Sequence, residues 1–303
     1  MAALEVKDLA FSYGSHHVLR GVSFAAEPGD FIAVLGPNGV GKSTMFKCVL
    51  GFLSGYEGQV LVGGEDARRM KRKELARKVA YIPQSSEQVF DYTVLELVLM
   101  GSAARVSLFA TPGAEEEQRA LEVLAELGIE HLAYKGCGQI SGGEYQLVLL
   151  ARTLVQDAKV LVMDEPTANL DYGNQYRVME RITRLAKRDF VVMMAAHDPN
   201  QVLLHANRAL VIDKGTVRAD GSPADVMTDE LLSSLYGIDV HRLSVEDAGR
   251  RVNVCVPVGL GAGRGGRGPA VGEGMSAVSA AVQDSAASPD VSAEAAQTEK
   301  AAL

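Results

Sequence analysis

The chain has 303 residues, 47% hydrophobic and 22% charged, enough for one large domain or two ordinary ones with a core that needs no staples. That balance excludes global disorder, and the net charge of −8 argues against a nucleic-acid partner. Cys48, Cys137 and Cys255 are odd in number, scattered and without C-x-x-C spacing, which argues against a disulfide framework or zinc site and fits a reducing cytosol.

From the N-terminus, Met1-Ala-Ala-Leu-Glu-Val-Lys-Asp8 has no basic region leading into an apolar run, so no secretory signal is expected. Alternation over residues 4–9 and 18–24 predicts two antiparallel strands. Phe31-Ile-Ala-Val-Leu35 is continuously apolar, as a strand buried on both faces would be. It runs into a glycine-rich turn and a helix beginning near Gly41. Apolar runs of the same kind recur at residues 79–82, 160–163, 190–194 and 209–212, separated by helical stretches such as 172–187. This alternation predicts an α/β fold, a mostly parallel sheet with helices on its faces.

Between about residues 85 and 156 the rhythm changes. Residues 94–100, 115–127 and 143–155 read as helices with no strand between them, a helical subdomain inserted into the α/β core. About residues 219–258 form a small C-terminal extension, with a helix over 229–236 and a final strand at 252–256. From Gly259 to Leu303, Gly, Ala and Ser dominate and Phe, Tyr and Ile are absent. Burial there cannot offset ordering entropy, so a disordered tail is expected. No apolar stretch approaches the roughly 18 residues of a membrane-spanning helix, and there is no internal repeat. The chain reads as soluble and cytosolic.

The sharpest local pattern is Gly36-Pro37-Asn38-Gly39-Val40-Gly41-Lys42-Ser43. It satisfies G-x-x-x-x-G-K-[ST] directly after a strand and before a helix, the context that pattern requires. Gly36, Gly39 and Gly41 let the backbone curl so that successive N–H groups converge on phosphate oxygens, and the helix adds its positive end. Lys42 carries a compact charge to the β- and γ-phosphates, and the Ser43 hydroxyl suits Mg²⁺. Val160-Leu-Val-Met-Asp164-Glu165 is a buried strand ending in two carboxylates, where a parallel sheet places its ligands. Asp164 is expected to bind Mg²⁺ through water, and Glu165 to act on the attacking water as general base.

With five further motifs, the chain resembles the ATP-binding subunit of an ABC transporter over roughly residues 4–240. They are Tyr13; Gln84 in Tyr81-Ile-Pro-Gln84; Ser141-Gly142-Gly143-Glu144-Tyr145-Gln146; and Ala168-Asn169-Leu170-Asp171 followed by His197. The resemblance implies a P-loop NTPase (RecA-like) fold over residues 1–258, with an N-terminal antiparallel β subdomain. It implies ATP and Mg²⁺ as cofactors, with Tyr13 stacked on adenine and residues 36–44, Thr44 included, around the phosphates. Gln84 would touch the metal and attacking water, and His197 would be the switch histidine. Asn169 and Asp171 would lie in a dimer loop. Ser141 to Glu144 match the signature motif, which in the family caps the nucleotide of a partner chain, so a homodimer with two composite sites is implied. Ser141 is expected to open a helix with its hydroxyl and nearby N–H groups free for an anion. Departures from the family pattern are Ile140 and Glu144, where Leu and Gln are commoner, and Tyr145, where the nearest relatives carry Arg.

Residues 92–101, 169–175, 197–200 and 235–239 resemble the iron-siderophore, haem and cobalamin uptake group. That likeness implies two integral membrane permease subunits, an extracytoplasmic binding protein and a peripheral place on the cytoplasmic face of the membrane. Residues 85–107 would receive a helix of the permease. Two rival readings stand beside this one. A soluble ABC ATPase of repair, translation or iron–sulfur assembly would need no membrane partner, and a phosphate-loop kinase would need no signature motif.

Overall fold

The computed structural model describes residues 2–84, 92–104, 112–247 and 249–258. The expected tail (259–303) and much of the expected permease groove (85–91 and 105–107) lie outside the described residues. In chain order the elements begin with β1 (Leu4–Tyr13), β2 (His16–Ala26), β3 (Phe31–Leu35) and α1 (Lys42–Val49). There follow β4 (Glu57–Val62), β5 (Glu65–Asp66), α2 (Arg72–Lys78), β6 (Val79–Ile82), α3 (Val94–Leu99), α4 (Ala114–Leu127) and α5 (Gly142–Gln156). Next come β7 (Val160–Asp164), α6 (Tyr172–Ala186), β8 (Val191–Ala195), α7 (Pro199–His205), β9 (Arg208–Asp213) and β10 (Thr216–Gly221). The last are α8 (Pro223–Val226), α9 (Asp229–Tyr236), β11 (Val240–Asp247) and β12 (Arg250–Pro257).

The expected α/β architecture is present. A six-stranded sheet runs β10-β9-β3-β8-β7-β6, parallel from β9 to β6, with β10 antiparallel at its edge. Both faces of this sheet are covered, which is why its strands read as unbroken apolar runs. Every residue of β3 is at most 1% exposed. Successive side chains of a strand point to opposite faces. Accordingly Ile32 and Val34 join Met45, Phe46 and the antiparallel sheet on one side. Phe31, Ala33 and Leu35 join the α3–α6 side. The helical segment therefore shares one core with the sheet.

The antiparallel sheet has the order β2-β1-β4-β5. Gly14-Ser15 closes the β1–β2 hairpin, with Gly14 at φ +58°, a conformation open to glycine at little cost. This turn holds Tyr13 at the hairpin tip. Sequence periodicity passed over β4, β5, β10 and β11, which are short, edge-lying or glycine-punctuated and bury one face at most. The final strand pairs with β11 in a two-stranded sheet of its own. No helix among the described residues is long and apolar enough to cross a membrane.

Candidate functional site

The β3–α1 turn is shaped by glycines at φ +154° (Gly36), +77° (Gly39) and +112° (Gly41). A Cβ on Gly36 would strike the Ile212 carbonyl oxygen on β9, and one on Gly41 would lie 2.8 Å from Leu19 on β2. The loop is thus pressed between two strands, and side chains at these two positions are excluded. Gly41 heads α1 in the left-handed region with no side-chain cap, so the first N–H groups of the helix remain for an anion.

Lys42 is only 7% exposed. Its Nζ donates to the carbonyl oxygens of Gly36 at 2.6 Å and Pro37 at 3.1 Å. Burial lowers its pKa, against the opposing charges of Glu165 and Asp164. The Ser43 hydroxyl bonds the Asp164 carboxylate, whose pKa burial nevertheless raises. A cradle too tight for side chains, a buried ammonium and a Ser–Asp oxygen pair fit a nucleotide's phosphates and a hard divalent cation. No group of three His, Cys, Asp or Glu able to hold a metal exists among the described residues. A cation here would lean on Ser43, Asp164, phosphate oxygens and water.

Three neighbouring parallel strands deliver the remaining groups. Gln84 lies just beyond β6, Glu165 just beyond β7 and His197 just beyond β8, at the carboxyl edge where open α/β sheets bind ligands. The Glu165 carboxylate accepts from Gln84 Nε2 at 2.9 Å through Oε2 and bonds His197 Nε2 through Oε1. Glu165 has φ +49°, a strained setting for a residue with a side chain, of the kind that persists where the surroundings over-determine it. Gln84, Glu165 and His197 are thus hydrogen-bonded together, Ser43 pairs with the adjacent Asp164, and Lys42 lies near enough to both carboxylates to feel their charge. Tyr13 stands 47% exposed with Phe11 edge-on at 4.9 Å, on the hairpin whose β2 abuts Gly41.

The signature residues open α5 as expected, with one correction. The Ser141 hydroxyl is not free: it donates to Glu144 Oε2 at 2.8 Å and accepts from the Glu144 N–H at 3.3 Å. The same carboxylate takes the Ser141 N–H at 2.7 Å. Glu at the third helical position completes a reciprocal cap, and these bonds hold the Glu144 pKa low. Behind this cap, a Cβ on Gly143 would fall 2.6 Å from Asn174 Cγ. Asn174 in turn binds both oxygens of Asp171, through its N–H at 2.9 Å and Nδ2 at 2.7 Å. Asp171 therefore caps α6, and Asn169 lies exposed beside it. Gly143→Ala should push the signature turn off the 170–174 loop and cut ATPase turnover at least about tenfold, the size of a misplacement effect. An ATPase assay in which Gly143→Ala matched the wild type would refute the contact's importance.

Sequence reasoning missed the amide chain joining these loops. Thr167 Oγ1 donates to Gln201 Oε1 at 3.3 Å, Gln201 Nε2 to Gln175 Oε1 at 3.1 Å, and Gln175 Nε2 to the Leu170 carbonyl at 2.9 Å. Gln175 stood in a noted stretch, but no spacing announces a partner 26 residues away.

Residues 19–168 match the family model described as ABC transporter. The chain is 37% identical over 246 residues to a "Probable iron chelatin transport ATP-binding protein" of Helicobacter pylori, covering 80% of this chain and 96% of that protein. It is 35% identical over 243 residues to "Hemin import ATP-binding protein HmuV" of Roseobacter denitrificans, covering 78% and 90%. A solved metal-chelate type ABC transporter in an inward-facing conformation superposes with a TM-score of 0.77 at 30% identity, over 86% of this chain and 99% of that one. By its phosphate loop, its strand-end carboxylates and these likenesses, the chain belongs to the ABC transporter family.

Proposed function

We propose that this chain is the ATP-hydrolysing subunit, a translocase component, of an importer for a ferric siderophore or a related metal chelate such as haem or cobalamin. Two copies sit peripherally on the cytoplasmic face of the membrane beneath two integral membrane permease subunits, which receive cargo from an extracytoplasmic binding protein. The observation that carries the ATPase part is the Glu165 carboxylate, gripped by Gln84 and His197 and lying close enough to Lys42 to affect its charge. The iron-chelate part is supported by what the relatives are named for.

ATP with Mg²⁺, when bound, supplies the reactive anhydride and neutralises its charge. The protein's own residues do the rest. Backbone N–H groups of residues 38–44, with Gly36 and Pro37 shaping the turn, and the Lys42 ammonium would bind the phosphates, Ser43 and Asp164 would hold the cation, and Tyr13 would stack the base. Glu165 receives the proton of the attacking water, while Gln84 and His197 fix the direction of its carboxylate. Residues 141–144 present the start of α5 to the nucleotide of the other copy, and Asn169 and Asp171 line the contact between copies. Residues 1–258 act as the ATPase domain, with residues 85–156 as its helical subdomain and 219–258 as its extension.

The test mixes two inactive chains. Ser141→Arg spoils the signature turn and Lys42→Ala spoils the phosphate loop, so each should be inactive alone. Together, random pairing restores one intact composite site per mixed dimer, for roughly a quarter of wild-type ATPase activity. No recovery would mean that each chain completes its own site.

A further inference from the structure

Two stretches that the hydrolytic group leaves unused, residues 198–200 and 235–239, meet in the fold. Tyr236, the last residue of α9, donates its hydroxyl to the His197 carbonyl oxygen at 3.2 Å. Three residues further on, the Asn200 side chain grips the backbone of Cys255 in β12. Its Nδ2 donates to the Cys255 carbonyl at 3.2 Å and its Oδ1 accepts the Cys255 N–H at 2.7 Å. A side-chain amide thus occupies the place of a neighbouring strand on the β12 backbone. Between the two anchors, Asp198 caps α7 by accepting the Asn200 N–H at 2.8 Å.

The residues that grip are themselves tied together. The Val240 N–H donates to Ser233 Oγ at 2.9 Å and the Arg242 N–H to Asp229 Oδ1 at 2.8 Å. These bonds fix the β11–β12 hairpin to α9, so Tyr236 and Cys255 belong to one unit. Gly237, at φ +69°, ends the helix directly after Tyr236, as left-handed glycine caps do. Burial pushes the Tyr236 phenol up to about 12, so it stays a donor at any physiological pH. Sheet pairing, by contrast, stops short of the histidine: β8 ends at Ala195 and the last strand-like bond is Ala196 N–H to Val34 O at 3.1 Å.

We propose that the C-terminal extension is a brace for His197, in which Tyr236 and Asn200 are positioning residues that set the reach of the imidazole to the Glu165 carboxylate. This rests on the reading of His197 as part of the hydrolytic site. Because the brace acts through His197, its loss changes the chemical step and leaves the phosphate loop, and so ATP affinity, alone.

The experiment is a double-mutant cycle in the full-length chain, measuring ATP binding, steady-state turnover and single-turnover hydrolysis. Tyr236→Phe should lower kcat about three- to tenfold, the equivalent of one hydrogen bond, with KM for ATP unchanged. Added to His197→Ala, the same substitution should cost nothing further. An unchanged kcat in Tyr236→Phe, or an equal loss in both backgrounds, overturns the brace; equal losses would mark a purely structural role. If His197→Ala itself turns over like wild type, the reading of the hydrolytic site falls, and the brace with it. Asn200→Ala, which leaves both Cys255 backbone groups without their amide, provides a second cycle with the same expected pattern.

Discussion

Glu165→Gln should reduce ATP hydrolysis at least about a hundredfold, the loss expected for a general base, while leaving ATP binding intact. The amide has the shape of the carboxylate, so the strained backbone at φ +49° and the packing around it are undisturbed. What disappears is the proton acceptor between Gln84 and His197. With nucleotide and Mg²⁺ present but no hydrolysis to release them, two chains should remain clamped together. Gel filtration should then show a dimer that the wild type does not accumulate. A Glu165→Gln chain that stayed monomeric with ATP and released phosphate at the normal rate would remove Glu165 from its role.

Lys42→Ala should act differently. Its ammonium lies among the loop carbonyls, 2.6 Å from Gly36 O and 3.1 Å from Pro37 O, at the spot where phosphate charge would arrive. Losing a charge-assisted contact of about 1.5–3 kcal/mol weakens binding by roughly ten- to a hundredfold. Turnover should vanish, because the charge that forms in the transition state loses its cation as well. Burial lowers the Lys42 pKa, so the folded state disfavours the charged form relative to the neutral one. Cells carrying Lys42→Ala should lose uptake of radiolabelled ferric siderophore. Normal turnover would overturn the phosphate-loop assignment; normal uptake with dead turnover would detach the ATPase from iron import.

The core strands were legible because a strand covered on both faces must be apolar throughout, and β3 and β6 fall where the runs at 31–35 and 79–82 lie. The hairpin partner β11 was missed, since Leu243 and Val245 are about half exposed and no periodic apolar face is buried there. The Ser141 hydroxyl shows an opposite failing. Its capture by Glu144 was readable as a Ser-x-x-Glu capping box, yet the family likeness drew attention to the anion instead.

By itself the sequence determined the phosphate loop, because eight consecutive residues contain everything that turn requires: glycines where the backbone must bend left, a lysine and a serine at the start of a helix. It also marked each of the other candidate residues singly. Only the tertiary structure decided which of them touch. Gln84 and Glu165 are 81 residues apart, Glu165 and His197 32, and His197 and Tyr236 39. Such contacts depend on β6, β7 and β8 lying side by side and on the extension folding back over α7. Apolar periodicity sets which face of a strand is buried but carries no information about which strand becomes its neighbour.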